Sequence, residues 1–492
     1  MLPRLTAPMH WTKSLQIPIG IALVFLFAAV YVHQLPSNCP TPLSRLDLLH
    51  AMFSHGTMRI DAYDNTPDKS SWQGHYYSDK APGTTALAIP AFALGAGGLK
   101  TAGVGLDTPS GWLVSSWIAC AGSVAIAAAL GAALLFAWLL NYVPPRAALV
   151  ATLGIFLGAA PLPYATMLFS HSLVVGCVAI ALYAIQRGTV TASGAAPASS
   201  RPWDLLAGFV CGWAVASEYT VGLIIGGLFI WLISHGWRRA IPFCLAAIPP
   251  LLLIPLYSWL CFGNPLLLPY SLNESFPAMR EGLYAIKLPD LDTGYNLLFS
   301  PTRGLFFWTP FLLMALVGYW DLIRTHPRLF WLTYALPLLQ VVVISGRVWD
   351  WQAGPTLGPR YLAPMLPLLA LPCALGVKRF PRTGILLAAG SIVLTALATL
   401  TNASPPGSVY NPLTEIHLPR LLKGELQPNL GALLGLPPCG SLALFSVLLS
   451  GGIAWLWWTV SRVKIAPATD PSRAPGAPVV SLPDDVMNSN KG

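Results

Sequence analysis

"DLLAGFVCGWAVASEYTVGLIIGGLFIWLIS", residues 204–234, decides how the chain is threaded. A helix needs about 20 residues to span a bilayer core, so the stretch is too long for one upright helix and short for two. Glu218 sits in its middle. Read as two short helices meeting at Glu218, the segment returns the chain to the side it left. Residues 84–104 are apolar but rich in Gly and Ala, and in this reading they do not cross. Arg146, Arg187, Arg201, Arg238, Arg239, Arg324, Arg328, Lys378, Arg379 and Arg382 then share one face with both termini. That face holds 16 Lys/Arg against 5 Asp/Glu, and the other holds 12 against 14. Positive residues accumulate on the cytoplasmic side. The opposite threading strands Arg187 and Arg201 outside.

Composition leads to the same class. Hydrophobic residues make up 55% of the 492, and only 10% are charged. Apolar runs of bilayer length recur from end to end, and in lipid they must be helices, because each backbone polar group has to be satisfied within its own segment. The expectation is an all-α polytopic membrane protein of about 12 transmembrane helices, with both termini cytoplasmic. Outer loops fall at 36–111, 262–303, 347–360 and 402–440. Residues 1–465 form one transmembrane domain, and the Pro/Ala/Ser-rich stretch 466–492 reads as a disordered cytoplasmic tail. The net charge of +9 follows from the positive-inside bias and implies no nucleic acid. The run from Leu15 to Leu35 is long for a signal h-region and lacks a clean cleavage site, so it reads as an uncleaved first span. Cys39 and Cys439 both fall outside the spans and are left as a candidate pair. No Cys/His spacing resembles a zinc site.

Chemistry gathers on the expected outer face. "SRLDLLHAMFSHG" (44–56) has Leu46, Leu49 and Phe53 on one helical stripe, with Asp47, His50 and Ser54 on another. It reads as a short surface helix. An acid-rich loop with Asp61, Asp64 and Asp68 follows, and then "GHYYSDKAPGTT" (74–85), with His75, Asp79 and Lys80. In "SPTRGLFFW" (300–308), Ser300 is an expected N-cap, Pro301 a first helical residue and Arg303 part of the first turn. In "LGPRYLAPMLPLL" (357–369), Arg360 and Tyr361 open a helix. Helix starts favour anions. Lys80, Arg303 and Arg360 at three such starts make a candidate phosphate site at the membrane boundary. His171 at the start of a span, Glu218 between two helices, and Asp350 between Trp349 and Trp351 are further candidates, since ionisable groups inside a bundle mark functional sites.

With these parts in order, the chain resembles the GT-C superfamily of membrane glycosyltransferases, in its bacterial branch related to protein mannosyltransferases, aminoarabinose transferase and galacturonosyltransferases. The resemblance covers roughly residues 15–380. It rests on one span, a large outer loop whose helix ends in Gly56, then "GHYYSDKAPG", in which Lys80 and Pro82 match the family's Lys-Pro-Pro-Leu stretch. "FGNPLLLPY", "LLFSPTRGLFFW" and "WDWQAGPTLGPRYLAPMLP" are similar to later parts of that branch. One departure stands out: where the family carries an acidic pair at the start of the loop helix, this chain has Thr41 and Pro42, and Asp47 is the nearest carboxylate.

The resemblance implies a GT-C-like bundle and an inverting sugar transfer on the outer face of a bacterial inner membrane. The donor would be a polyprenyl-phosphate sugar and the acceptor a lipid, glycan or protein of the envelope. A carboxylate would take the acceptor proton, Asp47 first and Asp61 second, while Lys80, Arg303 and Arg360 grip the leaving phosphate and Asp79 orients Lys80. Some relatives use a divalent metal, which the acid-rich loop has oxygens to hold; no other cofactor is implied. The competing expectation is a flippase or transporter, or a polymerase or ligase, for lipid-linked glycans.

Overall fold

The computed structural model describes residues 15–34, 39–63, 65–189, 199–280 and 286–462. The tail expected over 466–492, and Asp64, lie outside the described residues. Apolar composition yields helices almost throughout. The chain opens with α1 (Gln16–Tyr31), the loop helix α2 (Pro40–Ser54), and a hairpin of β1 (Lys69–Trp72) and β2 (His75–Ser78). Then come α3 (Gly83–Thr101), α4 (Pro109–Leu139), α5 (Pro145–Phe156) and α6 (Ser170–Arg187). The stretch that decides the threading forms α7 (Arg201–Ser217) and α8 (Tyr219–Ile233), with Glu218 extended between them. Next are α9 (Trp237–Phe262), α10 (Met314–Thr325), α11 (Pro327–Ser345), α12 (Arg360–Arg379), α13 (Pro381–Thr401) and α14 (Pro438–Ser461). Among the described residues, seven helices are long and apolar enough to cross a membrane. The chain is an all-α polytopic membrane protein.

Burial separates centre from rim. The apolar stretch of α12 is 94% buried and that of α6 is 78% buried, whereas those of α9 and α14 are 22% buried. The first two therefore form the core, and the last two present Leu252, Trp259, Val447 and Trp458 outward. Small residues allow the central helices to touch. A Cβ on Gly176 of α6 would collide with the backbone of Ala127 and Ala128 in α4, and one on Gly318 of α10 with the Pro372 carbonyl in α12. Gly176→Val is expected to destabilise the bundle by about 1–3 kcal/mol through overpacking, read as a lower melting midpoint of the detergent-solubilised protein.

α3 does not run through the bundle. Its N-terminal side joins the loop that carries α2 and the hairpin through the Lys80–Asp68 ion pair. Just past its C-terminal end, Asp107 accepts from the Tyr63 hydroxyl at 2.8 Å, and Trp112 stacks on His50 at 3.7 Å. Both ends thus return to the same loop. α4 has 31 residues, about 46 Å at 1.5 Å per residue against a hydrocarbon core of about 30 Å. Its first turns carry Trp112 and Ser115 to His50 in that loop.

Two expectations are corrected. α2 starts four residues earlier than expected, with Pro40 in its first turn, and it does not lie open on a surface. Residues 41–51 are all buried, covered by the hairpin, α3 and α4, so its polar face points into protein. Ser300 does not N-cap a helix: it is the C-cap of Leu291–Phe299, and its Oγ accepts from Thr302 N in a turn. Cys39 and Cys439 are both free thiols.

Candidate functional site

The β1–β2 hairpin sets the position of Lys80. Its two-residue turn is Gln73–Gly74, both at positive φ (51° and 79°), the backbone that fits the twist of tight hairpins. A lone hairpin is marginal in water. Ser70 anchors this one by donating to the Pro269 carbonyl at 2.7 Å. β2 ends at Ser78, so Asp79 and Lys80 are delivered inward together. This is the structural role of "GHYYSDKAPG".

Lys80 is 4% exposed, with Nζ 2.9 Å from Asp68 Oδ2 and 3.1 Å from Asp79 Oδ1. Asn273 Nδ2 donates to Asp79 Oδ2 at 2.7 Å. Thr41 Oγ1 donates to Asp68 Oδ2 at 2.7 Å, and Arg360 Nη1 reaches Thr41 Oγ1 at 3.4 Å. Arg360 Nη2 also donates to the Tyr361 hydroxyl at 3.2 Å. That hydroxyl donates to Asp350 Oδ2 at 3.1 Å, which also receives Arg347 Nη2 at 3.0 Å. One continuous network therefore joins Lys80, Asp68, Thr41, Arg360, Tyr361, Asp350 and Arg347.

Burial and charge compete at each member. Desolvation pulls the Lys80 ammonium down, but Asp68 and Asp79 outweigh it and hold its pKa well above the ordinary lysine value. Desolvation pushes Asp68 up, but Lys80 and the Thr41 hydroxyl outweigh it and hold the carboxyl below its usual range. Asp79 is pushed up to about 6 by burial, against the pull of Lys80 and aided by the charge of Asp68. The two carboxylates share one ammonium, which occupies the place a divalent metal would need. Among the described residues, no group of three or more His, Cys, Asp or Glu is set to hold a metal ion. These donors do not fit the metal implied for some relatives.

The same α2 face that carries Thr41 carries Arg45, one turn on. Arg45 is 1% exposed. Its Nη1 donates to the Leu168 carbonyl at 3.4 Å, and its Nε has no hydrogen-bond partner. Arg360 Nε is likewise buried without one. Asp68, Glu218 and Arg360 are electrostatic neighbours of Arg45. Buried charges normally have a partner, so two guanidinium groups with open Nε donors form a site fit for an anion.

The other sequence candidates divide. His171 Nε2 is 3.9 Å from Glu218 Oε2, and both residues are electrostatic neighbours of Arg360. Arg303, expected to bind phosphate, donates to the carbonyls of Thr302 (2.9 Å), Gly354 (3.3 Å) and Pro405 (2.9 Å), and its Nε, like those of Arg45 and Arg360, is buried without a hydrogen-bond partner. It clamps three loop segments together. Asp61 and His75 bond each other at 2.8 Å on the exposed hairpin side, and no described bond joins them to the Lys80 network. Asp47 lies about 200° around α2 from Arg45 at 100° per residue, so it faces away from the network and accepts from Asn65 Nδ2 at 3.2 Å.

Burial pushes the Asp47 carboxyl up to about 8, against Asn65 and Lys69, which lower it. It is therefore mostly protonated at pH 7. A carboxyl raised above its unfolded value keeps its proton in the fold, so stability falls as pH rises from about 4 to about 8. Asp47→Asn is expected to flatten that loss of stability. Melting midpoints measured from pH 5 to pH 8 check the slope.

Helical periodicity alone misses Asp68, Arg45, Arg347 and Asn273. Arg45 has a signal in the sequence: starting the helix at Pro40, where proline suits the first turn, puts Thr41 and Arg45 on one face. Asp68 and Asn273 have none, because a hairpin and a distant loop bring them in.

No family model matches the chain, and no curated protein matches it. Solved structures do. ArnT from Cupriavidus metallidurans bound to undecaprenyl phosphate is 16% identical, with a TM-score of 0.53, covering 92% of this chain and 78% of that one. The same protein in its apo state is 16% identical with a TM-score of 0.51, covering 92% and 75%. At that identity the likeness is one of fold: an ArnT-like arrangement extends over nearly the whole chain.

Proposed function

We propose that the protein is an inverting membrane glycosyltransferase that takes a sugar from a polyprenyl-phosphate carrier on the outer face and passes it to an envelope acceptor. The observation that carries this is the pair of buried arginines, Arg45 and Arg360, with open Nε donors beside the Lys80 network. An anion resolves their charge, and the ArnT-like fold is one in which a related structure is bound to undecaprenyl phosphate. The charge asymmetry of the loops supports reading this end of the bundle as the outer one.

On this reading the acceptor oxygen attacks the anomeric carbon from the side opposite the phosphate. The carbon–oxygen bond to phosphate breaks as the new bond forms, and the electron pair leaves with the phosphate. Arg45, Arg360 and Lys80 hold the negative charge that develops there. Asp68 takes the hydroxyl proton, in place of Asp47, which faces away. Thr41 occupies the family's acidic position and hands that role to Asp68 through their hydrogen bond. Lys80 keeps Asp68 ionised across neutral pH, so the carboxylate is always available although only weakly basic. Asp79 orients Lys80. Arg303 holds the loops around the site.

Transport is the weaker reading. The far end of α6 carries a different arrangement, in which Arg239 bonds Asp204 at 2.6 and 2.9 Å and the Ile185 carbonyl at 3.1 Å. There Arg239 is already matched by a carboxylate, while Arg187 at the same end keeps a buried Nε without a hydrogen-bond partner; transport needs Arg187, and sugar transfer at the Lys80 end does not. The purified protein is expected to bind undecaprenyl phosphate, with Asp68→Asn keeping binding within about threefold while lowering turnover by at least about a hundredfold, the range removal of a general base gives. Equal loss of binding and turnover would contradict the role given to Asp68.

A further inference from the structure

Ser170, His171 and Glu218 form a polar seam that the transfer step above leaves unused. Ser170 begins α6, and Glu218 fills the break between α7 and α8. Ser170 Oγ donates to Glu218 Oε2 at 3.1 Å, and Thr220 Oγ1 donates to Oε1 at 3.0 Å. A serine has one hydroxyl hydrogen. The 3.3 Å contact between Ser170 Oγ and His171 Nδ1 therefore has the imidazole as donor. The neutral ring then carries its hydrogen on Nδ1 and a bare lone pair on Nε2. His171 is 2% exposed, and Nε2 is buried with no hydrogen-bond partner. It sits 3.9 Å from the Glu218 oxygen. Two acceptors facing each other out of water are unfavourable unless a donor joins them.

The seam adjoins the anion site. The His171 ring lies 5.1 Å from that of Phe169 and 6.3 Å from that of Tyr361. The Arg360 guanidinium lies over the same two rings, at 5.3 and 5.0 Å. Glu218 is an electrostatic neighbour of both Arg45 and Arg360. Two open guanidinium donors and one open imidazole acceptor are thus electrostatic neighbours. A ligand that satisfies all three carries anionic oxygens and, close beside them, a hydroxyl hydrogen. A glycosyl phosphate has that pattern: its 2-hydroxyl is on the carbon next to the one bearing the phosphate.

We infer that His171 Nε2 accepts a hydrogen bond from the donor sugar's 2-hydroxyl, which makes His171 a specificity-determining residue and selects sugars with a free hydroxyl at that carbon. This rests on the reading of the site as one for a polyprenyl-phosphate sugar. Hydrogen bonds to this hydroxyl strengthen as positive charge builds on the sugar ring, so the contact favours the transition state over the bound donor. A 2-deoxy sugar leaves the nitrogen unpartnered. A 2-acylamino sugar brings bulk into a closed corner.

The experiment uses the full-length protein in nanodiscs and five probes: undecaprenyl phosphate alone, and its glucose, 2-deoxyglucose, arabinose and 2-deoxyarabinose conjugates. Wild type is expected to bind the hydroxylated member of at least one pair about tenfold or more tighter than its 2-deoxy partner, as sites built to bond a hydroxyl do. His171→Phe keeps a ring against Phe169 and removes the acceptor, so the ratio falls to about one. Ser170→Ala keeps the imidazole but frees its tautomer, and the ratio falls part of the way. Undecaprenyl phosphate, which has no sugar, reports whether the variants are folded. A ratio that survives His171→Phe, or that is near one in wild type for both pairs, overturns the inference while leaving the donor reading intact. Failure of wild type to bind undecaprenyl phosphate overturns both.

Discussion

Lys80→Met is expected to lower donor binding by about a hundredfold, near 3 kcal/mol at 1.4 kcal/mol per tenfold, and to loosen the fold at the same time. The reason is that Lys80 neutralises two buried carboxylates, at 2.9 and 3.1 Å. Removing one member of a buried ionic group leaves the others uncompensated, which costs about 3–5 kcal/mol. The pH dependence separates the effects. In wild type Lys80 holds the Asp68 carboxyl below its ordinary value, so its contribution to stability is present above the unfolded pKa and is lost as pH falls through the folded one. Without the ammonium, desolvation governs, the folded pKa rises above the unfolded value, and stability falls as pH rises. The slope contributed by Asp68 changes sign. Adding Asp68→Asn to Lys80→Met is expected to recover much of the melting midpoint and none of the binding. Recovery of binding in the double variant would show that Lys80 only supports the fold.

Arg45→Met has the opposite signature. Arg45 is fully enclosed but has only a 3.4 Å bond to the Leu168 carbonyl and an open Nε. An apolar residue of similar length removes a desolvated charge whose acidic neighbours keep other partners, Ser170 and Thr220 for Glu218 and Lys80 for Asp68, so the melting midpoint is expected to hold or rise. Binding of the phosphate-bearing donor is expected to fall by about 2–5 kcal/mol, as when one partner of a buried, hydrogen-bonded charge pair is removed. A higher melting midpoint with lost binding is the mark of a residue kept for function at the expense of stability. A lower midpoint with binding retained would make Arg45 a structural residue.

Much of the fold was legible because its determinants are local or additive. The break at Glu218 follows from the length of the stretch and its lone carboxylate. The reading of α3 as a helix that does not cross rests on the charge balance; the structure adds that residues flanking both of its ends meet one loop. The site was legible only where one segment carries the chemistry. Asp79, Lys80, Arg360 and Tyr361 lie in short motifs whose backbones place them. Arg303 reads as a ligand group because a cation stands at an apparent helix start, while two of its three carbonyl acceptors, those of Gly354 and Pro405, come from loops distant in sequence. The Asp47 carboxylate is plain in the sequence, but which way α2 turns it depends on that helix beginning at Pro40. Asp68 was one of three acids in a polar loop, and only the hairpin and Thr41 single it out.

The most direct measurement of the central claim is mass spectrometry of envelope lipids in the host lacking the protein and in that host complemented with wild type or Arg45→Met. Loss of the protein should cause a polyprenyl-monophosphate sugar to build up while one sugar disappears from an envelope product. Wild type should reverse both changes and Arg45→Met neither. Build-up of a pyrophosphate-linked oligosaccharide, or lipid pools unchanged by loss of the protein, would contradict it.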